Sequence, residues 1–230
     1  MTSDTKLTQL LKQTEVKPVL ASQWDKGAVT VLDFSAANKA LSATDFSDTA
    51  AFSALVENQI AAAGAKIGVG GYAENRIIYT SHVFTSEVEA RSLHLGIDLW
   101  APGGTPVFAP LNGRVHSFAN NTAYRDYGPT IILEHELQGI VFYTLYGHLT
   151  TQSLAGISKG MPIAAGTKFA AIGAQHENVE WPPHLHFQLI TDLCGKEGDF
   201  FGVAPPSESA YYLGICPNPN QILRIKELPD

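Results

Sequence analysis

Two textures divide the chain. Over residues 1–66 the apolar positions recur at helical spacing. Leu7, Leu10 and Leu11 mark one short amphipathic helix that must end before Pro18. Phe52, Leu55, Val56, Ile60 and Ala63 mark one buried face of a helix over 48–63, with Asp48 as N-cap and Gly64 as C-cap. Between them, 29–34 reads as a strand. From 67 onward short β-rich runs alternate with Gly, Pro and Asn clusters, and strands are predicted over 105–109, 113–118, 129–135, 139–147, 168–173 and 184–191. Strands this short at this spacing predict a mainly β architecture, a sandwich or barrel.

A weak repeat runs through the second part. Gly104-Thr105-Pro106-Val107-Phe108-Ala109 and Gly160-Met161-Pro162-Ile163-Ala164-Ala165 share a Gly-x-Pro-aliphatic-x-Ala pattern, 56 residues apart. Gly permits the turn and Pro presets the extended entry, so the two copies suggest a duplicated strand unit. The division that follows is an N-terminal helical extension over 1–66 and a main domain over 67–230. The extension offers no chemistry of its own and reads as a packing appendage or as a lid over a site, with Asn38 one candidate to reach that site.

Composition removes several classes of function. Apolar residues make up 45% of the chain and charged residues only 16%, which is a globular balance. The net charge is −7 with no run of Lys and Arg, so neither nucleic acid nor an anionic membrane surface is an expected partner. The first residues lack the basic start, apolar stretch and cleavage site of a signal peptide, so the chain reads as cytoplasmic, or as exported only if a precursor was trimmed. Cys194 and Cys216 form no CxxC pair and read as two reduced thiols in or near the core, with a disulfide as the alternative. No feature sets the oligomeric state.

The histidines are unevenly placed. His94-Leu95-Gly96-Ile97-Asp98 offers an imidazole and a carboxylate, both zinc ligands, on a segment whose glycines argue against a helix. Alone this spacing is a weak signal. Pro182-Pro183-His184-Leu185-His186-Phe187 alternates along a strand, so His184 and His186 share one face while Leu185 and Phe187 take the other. That face reads either as a metal ligand beside a proton-transfer group or as a polar edge. His148 closes a strand-forming run, and Tyr146, two residues earlier, would share its face on a continuous strand. HExxH is absent: Glu136 and Glu177 follow His135 and His176 with no second histidine at the required spacing. No nucleophile elbow or phosphate-binding loop is present in the right context.

Taken in order, His94-Leu95-Gly96-Ile97-Asp98, Tyr146-Gly147-His148-Leu149 and Pro182-Pro183-His184-Leu185-His186-Phe187 resemble the M23 metallopeptidases, the lysostaphin or LytM type, which hydrolyse peptide bonds in peptidoglycan. The likeness covers about 67–191, with the core motifs in 90–191. It extends to 104–115, to 127–135 and to 159–163.

The resemblance implies an antiparallel β-sandwich of the duplicated hybrid motif type. It implies one zinc ion per chain held by His94, Asp98 and His186, with His148 and His184 as the catalytic pair. Three protein ligands would leave the fourth position to water, as in a catalytic zinc site. Asn75 and Arg76 lie where the family often carries a groove-lining arginine, and with Tyr146 they are the candidate substrate contacts; the alternatives at these positions are a surface salt bridge for the first two and core packing for Tyr146. Peptide or peptidoglycan is the implied substrate. Trp181 and its two prolines depart from the small-residue approach usual before the last motif. The alternatives are a zinc hydrolase of a small cytosolic amide or peptide, and a non-enzymatic carrier or interaction module on the same scaffold.

Overall fold

The computed structural model describes residues 3–21, 28–41, 43–79, 81–84 and 89–229. Helix α1 (Ser3–Gln13) buries Leu7 and Leu11, and strand β1 (Val29–Leu32) follows. Helix α2 (Thr49–Ala62) starts where Asp48 accepts a hydrogen bond from the Ala51 amide at 3.0 Å, and Gly64 beyond its end takes φ +63°. The Asp48 cap is as expected; the C-cap is Ala63, and Gly64 supplies the left-handed residue one position beyond it. Then come β2 (Ile67–Gly70), β3 (Leu93–His94), β4 (Ile97–Trp100), β5 (Pro106–Phe108), β6 (Gly113–Asn121), β7 (Gly128–Leu137) and β8 (Ile140–Gly147). Strands β9 (Pro162–Ile163), β10 (Lys168–Ala171), β11 (His184–Ile190) and β12 (Val203–Ala204) precede the short helices α3 (Ser209–Ile215) and α4 (Asn220–Leu223).

Eight strands form one open sheet in the order β1-β2-β4-β11-β8-β7-β6-β9, antiparallel except for the edge pair β1–β2. Two-stranded sheets β10–β5 and β12–β3 accompany it. The fold is mainly β, built on a large antiparallel sheet that closes into no barrel. The Gly-x-Pro copies meet reciprocally. Gly104 and Gly160 adopt nearly the same left-handed φ, +84° and +82°, and each proline opens a short strand. Strand β5 of the first copy pairs with β10 behind the second, while β9 of the second pairs with β6 behind the first.

Residues of the first 66 are woven into this body. Leu7, Leu11, Leu20 and Val29 share one apolar core with Val69, Leu99, Tyr146 and Phe187. Arg224 donates to the Leu11 and Thr14 carbonyls at 3.0 and 2.7 Å, which ties α1 to the segment after α4. A second core joins Phe34 and Phe52 to Trp100 and Trp181. Cys216 is buried and free. Cys194 is also free but exposed, so the expectation of two thiols in or near the core holds only for Cys216. Among the described residues no helix is long and apolar enough to cross a membrane.

Candidate metal centre and its pocket

Register across the sheet places the site. Gly70 on β2 faces Asp98 on β4, Asp98 faces His186 on β11, and His186 faces Gly147 on β8. A carboxylate and an imidazole thus stand side by side with a glycine on each flank. The glycines make room: a Cβ at Gly70 would lie 2.4 Å from an Arg76 nitrogen, and one at Gly147 would lie 2.6 Å from the Tyr127 ring. His94 enters from β3. Gly96, between His94 and Asp98, has no space for a side chain, since a Cβ there would sit 2.6 Å from the His186 ring.

Three atoms converge. His94 Nε2 lies 3.0 Å from His186 Nδ1 and 3.3 Å from Asp98 Oδ1, and His186 Nδ1 lies 3.1 Å from that same oxygen. All three residues are buried. A tetrahedral zinc ion with bonds of about 2.0–2.1 Å separates its ligand atoms by about 3.3 Å, so the triangle fits one face of such a polyhedron and leaves its fourth vertex open.

The tautomers carry the fit further. His94 Nδ1 faces the Gly71 carbonyl at 2.9 Å, and a carbonyl only accepts, so this nitrogen bears the proton. Gln188 Nε2 donates to the Phe201 carbonyl at 3.0 Å and to Cys216 Sγ at 3.2 Å, which turns Oε1 toward His186 Nε2 at 3.0 Å. His186 therefore donates from Nε2. Both imidazoles turn bare lone pairs toward Asp98 Oδ1, with no proton left to lie between the three atoms. That donor set matches a cation and is repulsive without one.

Electrostatics favour the ligand forms. Burial, helped by the nearby Arg76 charge, lowers His94 to about 4. Burial would raise Asp98, but His94, Arg76 and His184 beside it outweigh this and hold its carboxyl well below the usual range. Neutral imidazoles with a carboxylate are what a metal requires.

His184 stands beside this triangle. Its Nδ1 donates to the Pro182 carbonyl at 2.7 Å, leaving Nε2 as an acceptor 4.0 Å from Asp98 Oδ1, and its ring stacks on Trp100 at 4.2 Å. His148 lies 4.1 Å from His184, centroid to centroid, and its buried Nδ1 has no hydrogen-bond partner. Burial lowers His184 to about 4, and burial with its histidine neighbours lowers His148 well below the ordinary imidazole value. Both open on a pocket of about 200 Å³ together with Asp98, His186, Tyr127 and Trp181.

The three candidate substrate contacts are placed elsewhere. Arg76 is buried behind the site: NH1 bonds Asp98 Oδ2 at 2.5 Å and Nε bonds Glu74 Oε2 at 2.6 Å. It is positioned to hold the carboxylate, not to touch a ligand in the groove. Asn75 is exposed and forms an isolated backbone bridge with Leu93. Tyr146 lies in the core against Phe187, bonded to Thr144 Oγ1 at 3.0 Å. It does not share the face of His148 because β8 ends at Gly147 and His148 turns to φ +61°, which reverses the alternation. Asn38 is spent on its own turn, bonded to the Asp33 carbonyl and the Ala40 amide. No described residue of 1–66 lines the pocket; that segment backs it, Phe52 packing on Trp100 and Trp181 at 5.9 and 6.1 Å.

Four contributors escaped the sequence. Glu74 links the Phe34 amide, at 3.1 Å, to Arg76 and so to Asp98. Gln188 fixes the His186 tautomer, and the Gly71 carbonyl fixes that of His94. Tyr127 places its hydroxyl 3.4 Å from His186 Nε2. Only Gln188 left a trace, standing two residues after His186 on the same strand face.

Residues 92–197, which include His94, Asp98, His148, His184 and His186, match the model of peptidase family M23. The uncharacterized lipoprotein YgeR of Escherichia coli K12 is 33% identical over 94 residues; the match takes in 41% of this chain and 33% of that protein. The chain thus spans about a third of the curated relative it matches. A zinc-containing peptidase from Vibrio cholerae is 31% identical over 43% of this chain and 27% of its own, with a TM-score of 0.35. The catalytic domain of lysostaphin from Staphylococcus simulans is 24% identical over 53% and 80%, with a TM-score of 0.36.

Proposed function

We propose that this protein is a zinc-dependent peptidase that hydrolyses peptide bonds, with peptidoglycan peptides as its substrate class. The observation that carries this reading is the convergence of three lone-pair atoms, His94 Nε2, Asp98 Oδ1 and His186 Nδ1, within 3.0–3.3 Å of one another. Zinc bound there supplies Lewis acidity toward the scissile carbonyl and acidifies a water molecule.

The chain's own residues do the rest. His184, with Nδ1 committed to the Pro182 carbonyl, keeps Nε2 as an acceptor beside the centre and can take a proton from the attacking water. His148, with an uncommitted Nδ1, can hold the developing oxyanion when protonated or pass a proton to the leaving amine. Burial keeps both imidazoles neutral, so each presents one N–H and one lone pair. Peptidoglycan lies outside the cytoplasm, so action on it requires export of the chain.

Digestion of purified peptidoglycan with zinc-loaded protein, followed by mass spectrometry of the released fragments, tests the reading. New amine and carboxyl termini within the peptides are expected. Intact peptides with zinc-loaded protein would remove peptidoglycan as the substrate, and intact model peptides as well would remove the peptidase assignment.

A further inference from the structure

The pocket beside the metal centre is lined by Arg125, whose guanidinium makes no salt bridge among the described residues; Asp45 and Glu180 attract it only at longer range. Arg125 is 1% exposed, and among the described residues its Nε, NH1 and NH2 atoms have no hydrogen-bond partner. Its neighbours are aromatic: Trp181, Tyr124 and Phe52 have ring centroids 4.9, 5.5 and 5.8 Å from its central carbon. Cation–π attraction offsets part of the cost of burying this charge. It leaves the N–H donors unused, and buried donors without acceptors are costly.

The backbone holds this arrangement in place. Arg125 adopts φ +61°, and its amide donates to the Val179 carbonyl at 3.0 Å. Val179 and Glu180, on the facing loop, are also left-handed at +55° and +70°. Three side-chain-bearing residues in a region that favours glycine represent strain kept by their surroundings, a pattern that clusters at ligand sites. The two loops pin Arg125 against Trp181, whose ring lies 6.1 Å from His184 and 6.3 Å from His148. Arg125 therefore lines the pocket one side chain away from the proposed catalytic pair.

We propose that Arg125 is a specificity-determining residue that binds a carboxylate of the substrate. The preferred substrates are then peptides with an acidic group beside the scissile bond; this rests on the peptidase reading above. A planar guanidinium fork matches a carboxylate through two parallel hydrogen bonds, and a carboxylate is the anion a peptide supplies. Arg91, Lys196, Asp126 and Asp199 line the same pocket; Lys196 lies 3.7 Å from the Asp199 carboxylate, and Arg91 stands over the Phe84 ring. The carboxylate has two sources, the end of a peptide chain or an acidic side chain.

Three probes separate these sources: acetyl-trialanine with a free C-terminal carboxylate, its C-terminal amide, and that amide with glutamate in the central position. Binding and hydrolysis are measured on zinc-loaded wild type, Arg125→Gln and Arg125→Lys. Wild type is expected to bind one acidic probe about tenfold to a hundredfold more tightly than the neutral amide. The ratio should fall to about one in Arg125→Gln and to an intermediate value in Arg125→Lys, with zinc content unchanged. Which acidic probe is preferred assigns the source.

Equal binding of all three by wild type overturns the proposal. So does a preference that survives in Arg125→Gln, which would place the carboxylate on the metal. If the variants fail to fold, the arginine Nε–H resonance of Arg125 in wild type gives the same contact, shifting with an acidic probe and not with the amide. Carboxylate preference without hydrolysis of any peptide would sink the peptidase reading and leave this one standing. Hydrolysis without preference would do the reverse.

Discussion

Arg76 and Asp98 share a hydrogen-bonded ion pair that divides the carboxylate between two tasks. Oδ2 accepts from Arg76 NH1 at 2.5 Å while Oδ1 faces the two ligand imidazoles. The arginine orients the carboxylate and compensates its charge when no cation is bound. Removing one partner of a buried pair costs about 3–5 kcal/mol. Arg76→Met should lower the melting temperature of metal-free protein by about 10 °C, at roughly 2–4 °C per kcal/mol for a chain of this size. Zinc should recover part of the loss, because it supplies the positive charge Asp98 has lost. Thermal melts with and without zinc check this; identical losses in both would show that Arg76 does not serve the metal site.

Ligands and proton carriers should separate experimentally. His94→Ala should abolish stoichiometric zinc in metal analysis. His184→Ala should retain close to one zinc per chain yet lose about 10²–10⁴-fold in hydrolysis rate. Wild-type rates in zinc-replete His184→Ala would remove it from the chemistry. Chelation of wild type should abolish hydrolysis, and added zinc should restore it.

Gln188 tests the tautomer argument. Its amide holds the proton of His186 on Nε2 and keeps Nδ1 bare. Gln188→Leu should weaken zinc about 10–100-fold in a competition titration, since partners behind a ligand histidine typically carry that much affinity. Unchanged affinity would mean that the triangle sets the tautomer unaided.

His135 gives a pH signature away from the metal. It is buried between the Asn112 carbonyl and Thr144, and burial lowers it to about 4. Its proton is bound more tightly in the unfolded chain, near the ordinary value of about 6.5. The neutral ring thus contributes stability that is fully present above about pH 6.5 and is lost as pH falls toward 4. Urea midpoints measured between pH 7 and 4 should fall more steeply for wild type than for His135→Gln. Parallel slopes would contradict the assignment.

Much of the site can be read in the sequence, and the reason is local. The alternation of His184 and His186, the glycine inside His94–Asp98 and the helix over 48–63 are set by spacing alone, and each is found where spacing puts it. Tyr146 packs in the core, and it shares no face with His148 because strand alternation assumes the strand continues, whereas His148 takes a left-handed turn. The groove position for Arg76 rests on the family resemblance, and nothing near it in sequence reveals that Gly70 leaves a channel to Asp98. Glu74 and Tyr127 depend on register between strands far apart in the chain, which no short motif encodes.

The reciprocal pairing of β5 with β10 and β6 with β9 has a kinetic consequence. Each copy of the Gly-x-Pro unit leaves a ladder that only the other copy completes. Neither can zip up early and wait, so both must close in one late, long-range event. Contacts of that kind make folding slow. They also make the native state interlocked: a fluctuation that peels away either copy exposes unpaired backbone in both. Asp98 lies on β4 before the first copy, His148 follows β8 between the copies, and His186 lies on β11 after the second. Asp98 and His186 meet only when β4 and β11 pair, so the metal site is complete only when the sheet is.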